Sequence, residues 1–319
     1  MVCLVTGANG FIGSHMCGLL AGGGEAVRGL VRQRSDLTWL EGLDVELVRG
    51  DLMDRDSLDA AVHGVDAVFH TAASLRPRDP ADYEKINYEG TRMLADVCLA
   101  AGVRRFVLFS SAAASGPSPG PGRPSTEEDE PRPVSGYGRG KLRAEQALQE
   151  MADRLHSAIL RFPAVYGPRD RDGLFLFRTL KRGIRPVLGG ELSLVYVRDA
   201  VRSALQAARS DVTSGSVYFV SDGCCHRFDE VAAVVERLLG RRTVRVRLPN
   251  WAMKAGARVN QWLARDGSIF NLDKAEEFAH DCWVISTEKA VRELGFQPEY
   301  PLEKGMRLTV DWYREKGWL

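Results

Sequence analysis

The chain has 319 residues, a hydrophobic fraction of 45% and a formal net charge of +1. This length suits one large domain or a domain with a smaller lobe, and the near-neutral charge gives no bulk electrostatic case for binding nucleic acid or an anionic membrane. No apolar run is long enough to span a bilayer and the N-terminus lacks signal-peptide features, so we expect a cytoplasmic protein without a membrane span. The six cysteines show no CxxC or Cys/His ligand spacing, which predicts reduced thiols and no metal site.

Apolar segments alternate between strand-like and helix-like spacing through the first two-thirds of the chain. Strands are predicted at 2–5, 26–31, 45–48, 67–69, 106–109 and 158–162, and helices at 11–20 and 87–101. This alternation is typical of βαβ units, in which helices cover both faces of a parallel sheet. We therefore predict an α/β protein with a doubly wound parallel sheet.

The pattern also predicts how the chain is divided. Residues 1–170 are expected to form the larger domain, with core strands that continue to about residue 220. From about residue 170 the pattern loosens, and a helix is predicted at 228–239. We expect residues 171–319 to form mainly a smaller, mostly helical lobe that is interleaved with the core.

Residues 116–133 interrupt the alternation with six prolines and three glycines, which exclude a helix or a central strand. A long irregular segment inside a compact domain is usually a lid over a functional site or a disordered insert. We predict a lid that is mobile without ligand and becomes ordered over the site when substrate binds.

A glycine-rich turn, Thr6-Gly-Ala-Asn-Gly-Phe-Ile-Gly13, follows the first predicted strand and opens the first predicted helix. Glycine lets the backbone turn sharply and approach a pyrophosphate, and the N–H groups at the start of the helix meet its charge. The spacing differs from the Gly-x-Gly-x-x-Gly fingerprint of dehydrogenases, but its position between strand and helix favours a dinucleotide site. The candidate contacts in this turn are Gly7, Asn9, Gly10, Phe11, Ile12 and Gly13.

The residues after the second predicted strand bear on which dinucleotide is bound. In such folds an acidic residue there binds the ribose hydroxyls of NAD, whereas an arginine accommodates the 2′-phosphate of NADP. This chain has Arg32 and Arg34 at that place and no acid before Asp36. Because guanidinium groups form charge-assisted pairs with phosphate, the sequence favours NADP(H), with NAD(H) as the open alternative.

Two later strand ends supply further candidate contacts with the cofactor. Asp51 lies at the end of one predicted strand, where its carboxylate could accept a hydrogen bond from the adenine amino group. Small side chains after the next strand leave room for the ribose and nicotinamide. His70, at that strand's end, is interpreted as a loop-end histidine rather than a catalyst. The contacts predicted from these two strand ends are Asp51, Leu52, Thr71, Ala72 and Ala73.

Tyr137 and Lys141 stand four residues apart, shortly after the proline-rich tract. This spacing puts both side chains on one face of a helix, where the ammonium favours the phenolate and lowers a phenol pKa that is normally about 10. Such a tyrosine could move protons near neutral pH. Tyr-x-x-x-Lys is common when taken alone, and a surface tyrosine beside a solvated lysine is the alternative interpretation.

Taken in chain order, these motifs resemble the extended short-chain dehydrogenase/reductase family over nearly the whole length. Further matches are Asn87-Tyr-Glu-Gly-Thr, Ser110-Ser111, Arg161-Phe-Pro-Ala-Val-Tyr-Gly-Pro and Val197-Arg-Asp199. The resemblance implies a Rossmann-type nucleotide domain with a small C-terminal substrate lobe, and also a homodimer. It implies that Asn87 is structural or belongs to a proton relay.

The resemblance also implies a catalytic triad of Ser111, Tyr137 and Lys141. Ser111 would hydrogen-bond the substrate oxygen, with Ser110 as the neighbouring alternative. Tyr137 would give or take the hydroxyl proton. Lys141 would hold the ribose hydroxyls of the cofactor and lower the pKa of Tyr137.

The segment around Pro163 separates branches of the family. Nucleotide-sugar epimerases and dehydratases typically carry at this position an asparagine that contacts the sugar nucleotide. The segment here resembles the branch of 3β-hydroxysteroid dehydrogenases and dihydroflavonol reductases, and it implies Pro163 and Val165 as cofactor contacts. The acidic pair of the dehydratases is also missing, since Ala112 and Ala113 stand in its place.

The resemblance thus implies an NADP(H)-dependent oxidoreductase that interconverts a secondary alcohol and a ketone on an apolar small molecule. An NAD-dependent nucleotide-sugar epimerase or dehydratase that uses transient oxidation is the first alternative. A protein that kept the fold without turnover is the second. Residues 251–263 form an amphipathic, slightly basic segment that is expected to cap the substrate cleft, with docking on a membrane surface as the alternative.

Overall fold

The computed structural model describes residues 1–75, 79–187, 190–246, 276–277 and 279–319. Within these residues, seven parallel strands form the main sheet in the order β3-β2-β1-β4-β5-β6-β11. The strands of this sheet are β1 (Val2–Thr6), β2 (Ala26–Val31), β3 (Glu46–Arg49), β4 (Ala67–His70), β5 (Arg105–Ser111), β6 (Ser157–Phe162) and β11 (Ser216–Phe219). The order reverses between β1 and β4, and in open parallel sheets such a reversal creates a crevice at the carboxyl ends of the strands.

The helices connect the strands and pack on both faces of the sheet. They are α1 (Phe11–Gly22), α2 (Arg55–Val62), α3 (Gly90–Ala100), α4 (Gly136–Glu150), α5 (Leu174–Lys181), α6 (Val197–Arg209), α7 (Phe228–Leu239), α8 (Glu288–Leu294) and α9 (Leu302–Glu315). A π-helix, Tyr83–Glu89, leads into α3, and a 3-10 turn, Ala112–Ala114, follows β5.

Alternating side chains along β1 show why both faces of the sheet must be covered. Cys3 and Val5 point into one apolar cluster, which α1 and α6 complete, whereas Leu4 between them points into a second cluster with α2, α3 and α4. All three side chains are fully buried, as expected where successive residues of a strand face opposite layers. The prediction of an α/β, doubly wound parallel sheet is confirmed.

The C-terminal part adds short strands and a third apolar cluster formed mainly by α5, α7 and α9. The short strands form three small sheets. In the first, β7 (Ala164–Tyr166) pairs with β10 (Leu194–Tyr196); in the second, β9 (Glu191–Leu192) lies between β12 (His226–Arg227) and β14 (Cys282–Trp283); in the third, β8 (Ile184–Pro186) pairs with β13 (Val244–Val246). The predicted helix at 228–239 coincides with α7. No helix in the described ranges combines the length and the apolar character needed to cross a lipid bilayer. The segment 251–263 lies outside the described residues.

The proline-rich tract 116–133 contains no helix, as predicted, and is held by hydrogen bonds to distant parts of the chain. The N–H groups of Ser118 and Ser125 donate to the carbonyls of Cys282 and Val284 at 2.9 and 2.8 Å. The carboxylate of Glu127 accepts from the N–H of Phe219, at the end of β11, at 2.7 Å. The tract therefore links the edge of the main sheet to the chain around β14. Its role as a lid stays a prediction.

Candidate cofactor and catalytic site

The glycine turn brings the start of α1 against the end of β4. Gly7 has a φ of +64°, and a Cβ there would lie 2.9 Å from the Cα of Ala72. The N–H of Gly10 donates to the carbonyl of Gly7 at 2.9 Å, and a Cβ on Gly13 would lie 2.2 Å from that carbonyl oxygen. A side chain at Gly7 or Gly13 would therefore force the turn open.

The first turn of α1 presents N–H groups that no side chain caps. Gly10 is the N-cap residue and makes no side-chain hydrogen bond, and no acidic residue lies in the first turn. The N–H groups of Phe11, Ile12 and Gly13 are thus available to an anion, and the helix dipole favours one there. A pyrophosphate fits this cradle both by charge and by the space that the glycines leave.

A cleft of about 720 Å³ continues from the turn to the ends of β2 and β3. It brings together three of the predicted contacts, Asn9, Arg32 and Asp51. Arg34, which the sequence also indicated as a possible phosphate partner, lines the cleft as well. The remaining lining residues are Gln33, Ser35, Asp36, Arg49, Gly50, Asp54 and Ser57. Leu52 is buried next to Asp51.

Arg49 is a cleft residue that the sequence reading missed. It ends β3 and pairs in register with Val31, the last residue of β2. Its Nη1 donates to the backbone carbonyl of Arg32 at 2.9 Å, so it steadies the loop that presents the Arg32 guanidinium. Three arginines, Arg32, Arg34 and Arg49, therefore share the cleft with acidic groups. The Thr38 hydroxyl donates to the Asp36 carboxylate at 2.6 Å, and this hydrogen bond lowers the pKa of Asp36.

A directed chain of hydrogen bonds fixes the segment after β4. The N–H of Ala72 contacts Thr6 Oγ1 at 3.3 Å, and Thr6 Oγ1 contacts His70 Nδ1 at 2.7 Å. On the other side, His70 Nε2 contacts Thr91 Oγ1 at 2.9 Å, and Thr91 donates to the carbonyl of Asn87 at 2.6 Å. Because the Thr91 hydroxyl gives its proton to Asn87, it accepts from His70, and the ring proton of His70 therefore lies on Nε2. Burial lowers the pKa of His70 to about 3, so the ring is neutral, which supports a structural role over a catalytic one.

The side chain of Asn87 also holds this segment. Its Oδ1 accepts from the N–H of Ser74 at 2.7 Å, and its Nδ2 donates to the carbonyl of Ser74 at 3.1 Å. Thr71 Oγ1 donates to the carbonyl of Thr6 at 2.7 Å, while Ala73 lies between these anchored residues. Thr71, Ala72 and Ala73 thus form a rigid wall at the carboxyl edge of the sheet, and Asn87 supports it.

Ser111 and Tyr137 meet where β5 ends and α4 begins. Ser135 caps α4, because its hydroxyl accepts from the N–H of Gly138 at 3.0 Å, and this sets the orientation of the helix turn that carries Tyr137. The Tyr137 phenol and the Ser111 hydroxyl form a hydrogen bond. Ser110 instead donates to the Glu145 carboxylate inside the core. The geometry therefore favours Ser111 over Ser110 as the residue beside the tyrosine.

Lys141 is 1% exposed and lies one helical turn after Tyr137. Its ammonium donates to the carbonyl of Phe109, on β5, at 2.6 Å. Burial lowers the pKa of Lys141 to about 8, and the carboxylate of Glu145, a further turn along α4, opposes that shift. The lysine is therefore held between the helix and the strand that ends at Ser111.

The predicted effect of Lys141 on the tyrosine is wrong for this structure. The pKa of Tyr137 is raised above its ordinary value, chiefly by burial and then by the negative charge of Glu277. The first physical reason is burial of the phenol. The second is the arrangement of charges, since the Lys141 ammonium is bonded to a backbone carbonyl whereas the Glu277 carboxylate acts on the phenol. Tyr137 is accordingly held in its protonated form at neutral pH.

Glu277 is a second residue that the sequence reading missed. Its side chain is 7% exposed, and its Oε1 accepts from the Ser135 hydroxyl at 2.8 Å. Its backbone carbonyl accepts from the indole Nε1 of Trp283 at 3.1 Å. The carboxylate therefore reaches the first turn of α4 from a point 142 residues later in the chain. No short sequence motif predicts a contact between residues so far apart in the chain.

The remaining predicted contacts lie at the same edge of the sheet. Pro163 stands between β6 and β7, directly after Phe162, which pairs in register with Ser111. Val165 lies on β7 and is partly buried against the main core. Both residues are thus placed near the end of β5, and their contact with a cofactor stays a prediction.

The fold and this edge together define a nucleotide-binding Rossmann protein with a Tyr-x-x-x-Lys pair. The sequence profile of the NAD dependent epimerase/dehydratase family matches residues 3–220. The chain belongs to this family. It is an NAD(P)-dependent enzyme of the extended short-chain dehydrogenase/reductase type, as the resemblance implied.

Individual proteins match the chain over almost its full length. A ceramide reductase from Caulobacter vibrioides (strain NA1000 / CB15N) is 32% identical, with 100% of this chain and 96% of that protein covered. The 3 beta-hydroxysteroid dehydrogenase type 7 of Homo sapiens is 29% identical, with 98% and 95% covered. Among solved structures, MoeE5 in complex with UDP-glucuronic acid and NAD has a TM-score of 0.80 and 27% identity, with 99% of this chain and 100% of that chain covered.

Proposed function

We propose that this enzyme is an NADP(H)-dependent oxidoreductase that interconverts a secondary alcohol and a ketone on an apolar small molecule. The observation that carries the proposal is the Ser111–Tyr137 hydrogen bond at the carboxyl edge of the sheet, beside the glycine turn and the anchored wall after β4. When bound, the nicotinamide cofactor supplies or accepts the hydride. The protein's residues bind, orient and exchange the proton.

The catalytic roles follow from where the groups lie. The Ser111 hydroxyl is positioned to donate to the substrate oxygen, and the protonated Tyr137 phenol is positioned to give that oxygen its proton as a ketone is reduced. Lys141 would bind the ribose hydroxyls of the cofactor. Gly7 to Gly13 would hold the pyrophosphate, and Arg32 the 2′-phosphate.

The relatives narrow the class of substrate in this proposal. The names ceramide reductase and 3 beta-hydroxysteroid dehydrogenase point to largely apolar substrates that carry a hydroxyl or keto group. The likeness to a structure with bound UDP-glucuronic acid keeps a nucleotide-sugar epimerase as the second candidate. Pro163, in place of the asparagine expected for that class, favours the reductase.

A panel of substrates separates these two functions. We expect oxidation of NADPH, followed by absorbance, with long-chain or polycyclic ketones, and no conversion of UDP-sugars. Conversion of a UDP-sugar without added cofactor, together with NAD(H) that stays bound through purification, would contradict the proposal. The homodimer, the cytoplasmic location and the division at residue 170 remain predictions.

NADPH is expected to bind about 10- to 100-fold more tightly than NADH. Charge-assisted hydrogen bonds from Arg32 to the 2′-phosphate are the cause, and together they are expected to contribute about 1.5 to 3 kcal/mol. Arg32→Ala should remove most of this preference by weakening NADPH alone. Arg104→Ala is the matched control, because Arg104 pairs with Asp66 away from the cleft. Isothermal titration calorimetry gives both dissociation constants, and equal values in the wild type would refute the assignment.

Ketone reduction is expected to stay constant through neutral pH and to decline only at alkaline pH. A raised pKa keeps the phenol of Tyr137 protonated, and only the protonated form can give a proton to the substrate oxygen. Glu277→Gln removes a negative charge that disfavours the phenolate, so the pKa of Tyr137 should fall and the alkaline decline should begin at lower pH. Tyr83, which raises the same pKa, and Lys141 are unchanged in this variant.

The neighbouring Glu276→Gln serves as the control, since Glu276 is exposed and is not among the charges that shift the pKa of Tyr137. The pH dependence of kcat in the reduction direction is the measurement. An alkaline decline that shifts equally in both variants, or in neither, would show that Glu277 does not tune the tyrosine. In the oxidation direction the sign reverses, because the phenolate is then the active form.

A further inference from the structure

The turn after β11 gathers three metal-ligating side chains within the described part of the chain. One ligand atom from each of Asp222, Cys224 and His226 lies within 4.8 Å of the others. Asp222 and His226 are 9% and 8% exposed, whereas Cys224 is exposed. The proposed reaction assigns no role to Asp222, Cys224 or His226.

The backbone around the cluster is anchored at both ends. The N–H of Asp222 donates to the carbonyl of Leu194 at 2.8 Å, and His226 pairs with Leu192 between β12 and β9. Gly223 has a φ of +77°, a conformation that reverses the chain between these anchors. Asp222 Oδ1 accepts from the N–H of Cys224 at 3.1 Å, which keeps the turn closed. The three side chains therefore converge because of the fold.

The contact between Asp222 and His226 joins a carboxylate and an imidazole, both of which are ligands that Zn²⁺ accepts. Asp222 Oδ2 lies 2.7 Å from His226 Nε2. With bond lengths of about 2.0 to 2.2 Å to Zn²⁺, tetrahedral ligand atoms lie about 3.3 to 3.6 Å apart. An ion could therefore lie between these two atoms if they separated by about 0.6 to 0.9 Å. The exposed thiol of Cys224 is free to turn towards the same point.

We propose that Asp222, Cys224 and His226 form a Zn²⁺ site with one coordination position open to solvent. A carboxylate, a thiolate and an imidazole suit Zn²⁺, whereas Ca²⁺ and Mg²⁺ take oxygen ligands. Binding releases the thiol proton of Cys224, so affinity rises with pH. The sequence reading predicted no metal site, because it sought CxxC and Cys/His spacings and passed over Asp-x-Cys-x-His.

The adjacent Cys225 provides a matched control. Its thiol is hydrogen-bonded to the side chain of Glu191, on β9, and it is not part of the cluster. The two neighbouring cysteines are both exposed and both free. A specific zinc site would use Cys224 and not Cys225, whereas nonspecific binding of metal to exposed thiols would involve both cysteines.

The test is titration of the chelator-treated full chain with Co²⁺ and then Zn²⁺. We expect one equivalent of Co²⁺ to give a thiolate-to-cobalt charge-transfer band in the near ultraviolet, which Zn²⁺ abolishes. Cys224→Ser should remove the band and weaken Zn²⁺ binding by about 100-fold or more, measured by competition with a chromophoric chelator, because a ligand is lost outright. Cys225→Ser should keep the band and bind Zn²⁺ within about threefold of the wild type.

Thermal unfolding gives an independent readout. A ligand that binds only the folded chain raises the midpoint, so Zn²⁺ should stabilise the wild type and Cys225→Ser more than Cys224→Ser or His226→Ala. Because Cys224 is exposed, Cys224→Ser is expected to fold even if His226→Ala does not. Absence of the charge-transfer band in the wild type, or equal losses of affinity in the two cysteine variants, would overturn the site. Neither outcome depends on the oxidoreductase activity.

Discussion

Tyr137→Phe is expected to lower turnover by about 100-fold or more, the usual contribution of a positioned acid–base group. The ring contact with Tyr83, whose centroid lies 6.1 Å away, does not involve the hydroxyl and should be retained. What the variant loses is the proton and the hydrogen bond to Ser111. Binding of NADPH should survive, since the glycine turn and Arg32 are unchanged.

Lys141→Ala is the variant to compare with Tyr137→Phe. It should lose turnover and also part of the affinity for NADPH, because the proposed role of its ammonium includes the ribose of the cofactor. Steady-state kinetics with a ketone substrate and calorimetry with NADPH measure the two effects separately. A Tyr137→Phe enzyme that reduced the ketone at nearly the wild-type rate would move the chemistry to another group.

Breaking the buried pair of Glu145 and Arg161 is expected to reduce the free energy of unfolding by about 3 to 5 kcal/mol. The two side chains are 1% and 3% exposed, and Arg161 Nη2 lies 2.6 Å from Glu145 Oε2. A second bond joins Arg161 Nε to the same carboxylate at 3.1 Å, and Ser110 also donates to it. Arg161→Met would leave this carboxylate in the core without its cation, which is the source of the large effect.

A double variant separates this cause from a simple loss of packing. Glu145→Leu combined with Arg161→Met removes both charges and should recover much of the stability lost in Arg161→Met. Glu303→Ala breaks an ion pair with Arg237 in which the side chains are 52% and 61% exposed, and it should change stability little. Denaturant unfolding measures all of these variants. A loss in Arg161→Met no larger than in Glu303→Ala would contradict the expectation.

The elements that the sequence predicted well are those set by local chemistry. Strand β2 and helix α7 were both predicted with their observed bounds. The period of the apolar side chains indicated them, because it decides which face of an element is buried. The glycine turn was predicted from its glycines between a strand and a helix. The structure explains why glycine stands at position 7, because a Cβ there would lie too close to Ala72. Other local features were missed: α2 and α6 were not predicted, and the helix predicted from residue 87 begins earlier, as a π-helix at Tyr83–Glu89.

The parts of the site that the sequence did not show depend on distant contacts. Arg49 joins the cleft only because β3 pairs with β2, and Glu277 reaches α4 only through the folding of the C-terminal part. For the same reason the direction of the Tyr137 pKa shift was predicted wrongly. Helical spacing identified Lys141 as a neighbour, but it could not reveal the burial of the phenol or the carboxylate beside it.

The contact between Glu277 and the cap of α4 has a consequence for exchanging parts between relatives. A chimera that replaced the chain after β13 with that of another family member would also exchange the carboxylate near Tyr137. Such a chimera would change the acid strength of Tyr137, the proposed proton donor. An exchange of the C-terminal part therefore alters the pKa of Tyr137 as well, unless position 277 keeps its glutamate.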